Sequence, residues 1–254
     1  MMKKTKHLSR RLIGLTLFVM LFSIAACEAA PVSVQDVPAE SPEESGVVVE
    51  EAPLLIVDED GSTEIDVAGL EETVVPSVAG LTAVEVEGLL FMREEEKLAR
   101  DVYFALYDEW GLNIFNNIAS SEETHTDAIR ILLDEYGLED PMTTDERGVF
   151  VNADLQALYD QLVEAGRQSL VDALLVGAAI EEIDILDLEA FLVQTDNTDI
   201  EMVYDNLLRG SRNHLRAFVR QIENRSGVYE PQYLTQDAYD AILGTGVEPG
   251  RGEG

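Results

Sequence analysis

Only one cysteine, Cys27, occurs in the 254 residues, so no intrachain disulfide framework is available and no thiolate set can hold a metal. Basic residues are scarce, 17 Lys and Arg against 50 Asp and Glu, giving a formal charge of −33. A polyanion would repel such a chain and release no counterions on binding it, which excludes a nucleic-acid binder. Anionic lipid surfaces are disfavoured for the same reason. What is present is a globular composition, 46% hydrophobic and 26% charged, which excludes a fully disordered or collagen-like chain and allows one or two domains. Cations are the partners that this charge attracts.

The positive charge that exists is concentrated at the start. Lys3, Lys4, Lys6, Arg10 and Arg11 precede an apolar run from Leu12 to Ala26 that ends Ile24-Ala25-Ala26-Cys27. A basic stretch, an apolar stretch and small residues before a cut form a secretory signal, here residues 1–26. The run is shorter than the roughly 20 residues that span a bilayer. Ile-Ala-Ala-Cys resembles the lipobox of bacterial lipoproteins, which makes Cys27 the lipidation site and the protein exported and membrane-anchored, facing the periplasm or cell exterior. Residues 27–81 then read as an acidic, proline-containing tether, largely disordered. From Glu28 to Gly80 there are fourteen acids, five prolines and no Lys or Arg, and like charges repel while proline blocks helix. The apolar segments Val47–Val49 and Leu54–Val57 are candidates for a short strand or for docking on the domain, with the extended tether as the preferred reading.

After Thr82 the texture becomes helical. Thr82 with Glu85, and Thr198 with Glu201, read as capping boxes. Helices are expected at about 83–110 and 113–136, ending before Gly111 and Gly137, and at 169–193 and 199–226. A long connection at 137–168 carries a short helix at 153–165. Short, long and short links predict an all-α four-helix bundle with one long crossover, the ferritin-like arrangement, over residues 82–227. A C-terminal tail, 228–254, follows with a helical turn near 236–242.

Each bundle helix interrupts its own apolar stripe near its middle: Glu95 in the first, Glu122 and His125 in the second, Glu181 in the third, Ser211 and His214 in the fourth. Counted from the two short turns at 1.5 Å per residue, these interruptions fall within about two helical turns of one level. Carboxylates in a dry core need a partner, and oxygen and imidazole donors suit iron or manganese. Glu122-Glu123-Thr124-His125 places a carboxylate and an imidazole on one face. Glu95, Glu122, His125, Glu181 and His214 are therefore candidate metal ligands, with Glu94 and Glu96 as rivals of Glu95 and Glu182 as a rival of Glu181. Asp184, one turn after Glu181, is a candidate replacement for the carboxylate that a second Glu-x-x-His would carry where Ser211 stands. Tyr103 and Tyr204 read as core, although a tyrosine near a metal can also carry electrons. The run Arg209, Arg212, Arg216 and Arg220 reads as pairing with neighbouring acidic helices.

Met92-Arg93-Glu94-Glu95-Glu96-Lys97-Leu98-Ala99-Arg100-Asp101-Val102-Tyr103, Ile180-Glu181-Glu182-Ile183-Asp184 and Leu208-Arg209-Gly210-Ser211-Arg212-Asn213-His214-Leu215-Arg216-Ala217-Phe218 resemble the DUF2202 family. That resemblance implies a ferritin-like fold, often exported, over about 82–227. Glu95, Glu122 and His125 are more distantly similar to the first half-site of rubrerythrins, without the cysteine cluster that delivers electrons there. Two functions are compatible with this pattern. One is a di-iron or di-manganese protein doing redox chemistry with dioxygen or peroxide. The other is a non-enzymatic lipoprotein whose polar layer fixes helix register or holds a structural metal. The pattern is compatible with a homo-oligomer and sets no oligomeric state.

Overall fold

The computed structural model describes residues 54–76 and 80–249. The signal segment, Cys27 and Val47–Val49 lie outside these described residues, among which no helix is long and apolar enough to cross a membrane. In chain order the elements are β1 (Leu55–Val57), β2 (Thr63–Ile65), α1 (Val67–Thr73), α2 (Ala83–Trp110), α3 (Asn113–Glu135), α4 (Ala153–Gly166), α5 (Leu170–Leu192), α6 (Thr198–Glu223) and α7 (Gln236–Gly244).

Local chemistry sets the long helices. Thr82 opens α2 as the expected capping box: its hydroxyl accepts from the Glu85 N–H and the Glu85 carboxylate accepts from the Thr82 N–H. Gly111 closes the helix at φ 62°, a left-handed conformation that costs other residues a clash at Cβ. The start of α6 differs from expectation by one residue. Asn197, not Thr198, is the cap, its side-chain oxygen accepting from the Asp199 and Ile200 N–H groups, because a short amide reaches the same orphan donors.

The helices pair α2 with α3 and α5 with α6, then close the bundle through α3 against α6 and α2 against α5, while α4 lies in the long crossover against α2 and α5. This is the expected all-α four-helix bundle with a short helix in its crossover. Its core includes Leu89, Met92, Val102, Phe115, Ile118, Ile129, Leu174, Leu188 and Leu207. The Tyr103 and Phe115 rings both pack on Phe218, with centroids 5.2 and 5.8 Å away.

The charged middle of α2 is buried, and most of it holds the crossover. Arg93 bonds the Asp140 carboxylate and the Thr126 carbonyl. Glu94 accepts from the Val151 and Asn152 N–H groups. Lys97 bonds Asp101 and the Glu146 carbonyl, with its ammonium 4.5 Å from the Phe150 ring centroid. Arg100 reaches Asp145 and Asp101. Each buried charge meets an opposite charge or a backbone dipole, the condition for keeping it in a core.

Two expectations, the extended tether and the pairing of the arginine run, are corrected, while the helical turn expected near 236–242 is α7. Residues 54–76 are not an extended tether: β1 and β2 form an antiparallel hairpin, α1 follows, and β2 lies against α3 and α6. Leu55, Ile65, Leu70 and Val74 bury their side chains while Glu59, Glu64, Glu71 and Glu72 stay exposed, so the acids that suggested a solvated tether do not oppose docking. The tail after 228 is also fastened, with Tyr229, Leu234, Tyr239 and Ile242 buried. The arginine run serves this tail and the hairpin rather than neighbouring acidic helices. Arg212 and Arg216 bond the Glu248 carboxylate, Arg209 the Pro249 carbonyl, and Arg220 the Asp60 carbonyl of the hairpin.

Candidate metal centre

The centre is built around Glu122. One carboxylate oxygen lies 2.8 Å from His125 Nδ1, one turn along α3, and the other lies 3.0 Å from His214 Nδ1 on α6. Glu96 of α2 stands 3.4 Å from His125 Nδ1, and Glu181 of α5 stands 3.6 Å from His214 Nδ1. Two triads result, Glu96–Glu122–His125 and Glu122–Glu181–His214, sharing Glu122, and within each triad one ligand atom per residue lies within 4.8 Å of the others. The two rings stack 5.5 Å apart. All five residues are buried, the histidines with no exposure at all. Four helices thus each supply part of one layer.

Four of the six expected ligands, Glu122, His125, Glu181 and His214, come together in these triads. Glu95 does not join them; Glu96 takes its place. Burial along α2 is continuous from Met92 to Val102, so apolar spacing could not decide which of three consecutive glutamates faces the triads. Glu95 instead faces Asp187 and Asp184 of α5. Glu182, the rival of Glu181, accepts from the N–H groups of Gln232, Tyr233 and Leu234. Asp184 sits beside the triads, bonded to the Ser211 hydroxyl, with Glu96, Glu181 and Glu122 close enough to act on its charge. Two partners escaped sequence reasoning. Tyr103 donates to Glu181 Oε1 at 2.5 Å, and the Thr63 hydroxyl touches both histidines. Tyr103 was legible as core or as an electron carrier near a metal, not as a partner of Glu181, and Thr63 gives no local signal because its partners lie 62 and 151 residues away.

Burial and mutual repulsion dominate the electrostatics. Burial pushes Glu96 up to about 7 against the pull of His125, and pushes Glu181 up to about 6 with help from Glu122. Asp184 and Glu95 are raised well above the carboxylate range, by burial first and neighbouring carboxylates next. Glu122 goes the other way: burial opposes its charge, but His214 and His125 hold it well below the usual range. Burial would lower both imidazoles, yet Glu122 and its neighbours raise His214 to about 9 and His125 well above its ordinary value.

These residues fit a pair of divalent ions. Glu96 Oε1 and Asp184 Oδ1 are buried without a hydrogen bond, both Nδ1 atoms turn toward carboxylates, and buried polar atoms gathered in one dry space are what a cation would satisfy. Glu96, Glu122, Glu181 and Asp184 carry four negative charges when ionised, which two divalent ions balance. The donors are oxygen and imidazole nitrogen, suited to iron or manganese. A narrow apolar cleft between α2, α4 and α5, lined by Leu98, Leu158, Leu162 and Ile183, reaches Glu95 and Asp184 and has room for about one water, 10 Å³. A larger polar cleft of about 310 Å³ lies over Arg93 and Arg100, whose guanidinium groups are already paired with Asp140 and Asp145.

The uncharacterized protein MJ0754 of Methanocaldococcus jannaschii is 54% identical to this chain over 166 residues, covering 65% of the chain and 90% of that protein. The crystal structure of hypothetical protein MJ0754 from Methanococcus jannaschii superposes with a TM-score of 0.68 at 51% identity, covering 69% of this chain and all of the other. Residues 85–246, from the first turn of α2 past the end of α7, match the family model described as an uncharacterized protein domain, and the chain belongs to that family, DUF2202.

Proposed function

We propose that this is an exported, lipid-anchored, ferritin-like protein whose bundle holds a di-iron or di-manganese centre for redox chemistry with dioxygen or peroxide. The observation that carries the reading is the Glu122 carboxylate with an imidazole Nδ1 on each of its oxygens and one further glutamate beside each ring. Glu96 and His125 would hold one ion, Glu181 and His214 the other, and Glu122 both, while Asp184 stands in for the carboxylate missing at Ser211. Such a pair of ions, when bound, supplies electrons to a small oxidant. The chain's own part is to keep the layer dry and to fix Glu181 through the Tyr103 hydroxyl, with Glu95 and Asp184 lining the apolar cleft beside it. That cleft admits a molecule of a few atoms and excludes large substrates. Anchoring at Cys27 would place this chemistry outside the cytoplasmic membrane, with the acidic chain held off anionic lipid.

The Ser211–Asp184 bond favours a second reading, a polar layer that only fixes helix register. Fe(II) loading separates the two. The redox reading expects one to two irons per chain, a charge-transfer absorption band on admitting air, and a folded His125→Ala variant that lacks the band. A chain that takes up no iron above surface background, with His125→Ala destabilised by about 3–5 kcal/mol from an uncompensated buried carboxylate, refutes it.

A further inference from the structure

Both imidazoles turn Nδ1 toward the carboxylates and Nε2 away from them, and on the far side they share one partner. The Thr63 hydroxyl lies 3.2 Å from His125 Nε2 and 3.0 Å from His214 Nε2. A hydroxyl oxygen has two lone pairs, enough to accept from two N–H groups at once. A ring that keeps its proton on Nε2 has its Nδ1 lone pair free for a cation. One side chain is therefore placed to set the tautomer and the tilt of both rings.

The placement is built, not incidental. Thr63 is 5% exposed, and its own N–H donates to Ser121 Oγ at 2.8 Å, while the Ile65 N–H donates to Thr124 Oγ1 at 3.0 Å. Ser121 and Thr124 flank Glu122 and His125 in the motif Ser121-Glu122-Glu123-Thr124-His125, so the helix that supplies the ligands also grips the outer edge of β2. At the hairpin turn, Asn117 of α3 donates to the Asp60 carboxylate at 2.6 Å. Gly210 of α6 leaves the room: a Cβ there would stand 2.6 Å from His125 Cε1 and 3.2 Å from Thr63 Oγ1, so a side chain would push ring and hydroxyl apart. Thr63 precedes residues 85–246, the segment that matches the family.

We propose that Thr63 is the positioning residue for both histidines of the metal centre, and that the β1–β2 hairpin, outside the family segment, completes that centre. The inference rests on the di-metal reading, and its test separates the two. Only three histidines exist in the chain, so the full chain carrying 15N-histidine gives a simple spectrum. In the metal-free wild type and in Thr63→Ser, the Nε2–H protons of His125 and His214 should be protected from exchange and correlated to their rings. In Thr63→Val, of similar shape but without the hydroxyl, both signals should be lost. Mn(II) binding, followed by the loss of the free-ion paramagnetic signal, should weaken on the order of 10- to 100-fold in Thr63→Val and recover in Thr63→Ser. A Thr63→Val chain that keeps both protected protons and the wild-type Mn(II) affinity overturns the proposal, even if its melting temperature falls. Signals lost in Thr63→Val while the wild type itself binds no Mn(II) would support the hydroxyl's hold on the rings and defeat the metal reading alone.

Discussion

Loading two divalent ions into this layer must eject protons, and the count can be worked from the site. Each Nδ1 faces Glu122, and both imidazoles are held above their ordinary range, His214 to about 9. His214 therefore carries a proton at pH 7 on the atom that a metal would use, and the upward shift of His125 acts in the same direction. Two protons must leave for two ions, and Asp184, raised well above its usual value, and Glu96, at about 7, add to that number. Each obligatory proton multiplies the overall association constant by 10 per pH unit, so affinity for the pair should rise at least ~100-fold per unit as pH rises toward 9, about 2.7 kcal/mol per unit. Calorimetric titration of Mn(II) in two buffers with different heats of ionisation counts the released protons directly. Exposed carboxylates are already ionised at pH 7 and release none. Binding that ejects fewer than one proton per chain, or an affinity flat from about pH 6 to 8, would show that neither imidazole is a ligand and refute the reasoning.

Without metal the same groups give stability the opposite slope. The folded chain holds extra protons on Glu181, Glu96 and His214, whose values of about 6, 7 and 9 exceed the unfolded ones, so unfolding free energy should fall as pH rises from about 5 to 9; urea melts of the metal-free chain check this, and a flat profile contradicts it. Glu96→Gln should lower Mn(II) affinity on the order of 10-fold or more while Glu95→Gln leaves it within a small factor, measured by equilibrium dialysis; equal losses would return Glu95 to the ligand set. Glu182→Ala strands three N–H groups of residues 232–234 and should cost about 2–4 kcal/mol, with faster amide exchange in the segment leading into α7, while Mn(II) affinity holds. Cys27→Ala should move the protein from the membrane fraction to the soluble one; an uncleaved variant that stays in membranes would instead indicate an anchor helix.

Much of this architecture was legible from local chemistry. Gly111, Gly137 and the Thr82 box punctuate the chain, and they set the helix ends to within a residue or two. Glu122 and His125 were legible because an i, i+3 pair shares a face, and Glu181 and His214 because equal distances from a short turn mean equal depth in a bundle. Glu96 was not, because α2 has no solvent face over its charged segment: Arg93, Glu94, Lys97 and Arg100 are buried against the crossover, so polarity there carried no direction. The hairpin was hidden by averaging. Its acids dominate composition, whereas Leu55, Ile65 and Thr63 decide the contact, and a hydroxyl that bridges two rings from 62 and 151 residues away leaves no periodic trace. Asn197 displaced Thr198 as a cap because adjacent residues compete for the same donors.

The hairpin also changes what kind of quantity metal retention would be. Thr63 of β2 backs the histidines on the side away from the carboxylates, and the cleft on the α4 side has room for only about one water. A chelator cannot follow an ion through an opening of that size. An ion held in either triad would leave only when β2 lifts from α3 and α6 or the crossover loosens, events whose frequency is set by local opening of the fold. Removal would then proceed at a rate that stops increasing with chelator concentration once every opening is captured. Residence time, set by how tightly Ser121 and Thr124 hold the strand edge, would exceed what the affinity of the ligands alone implies.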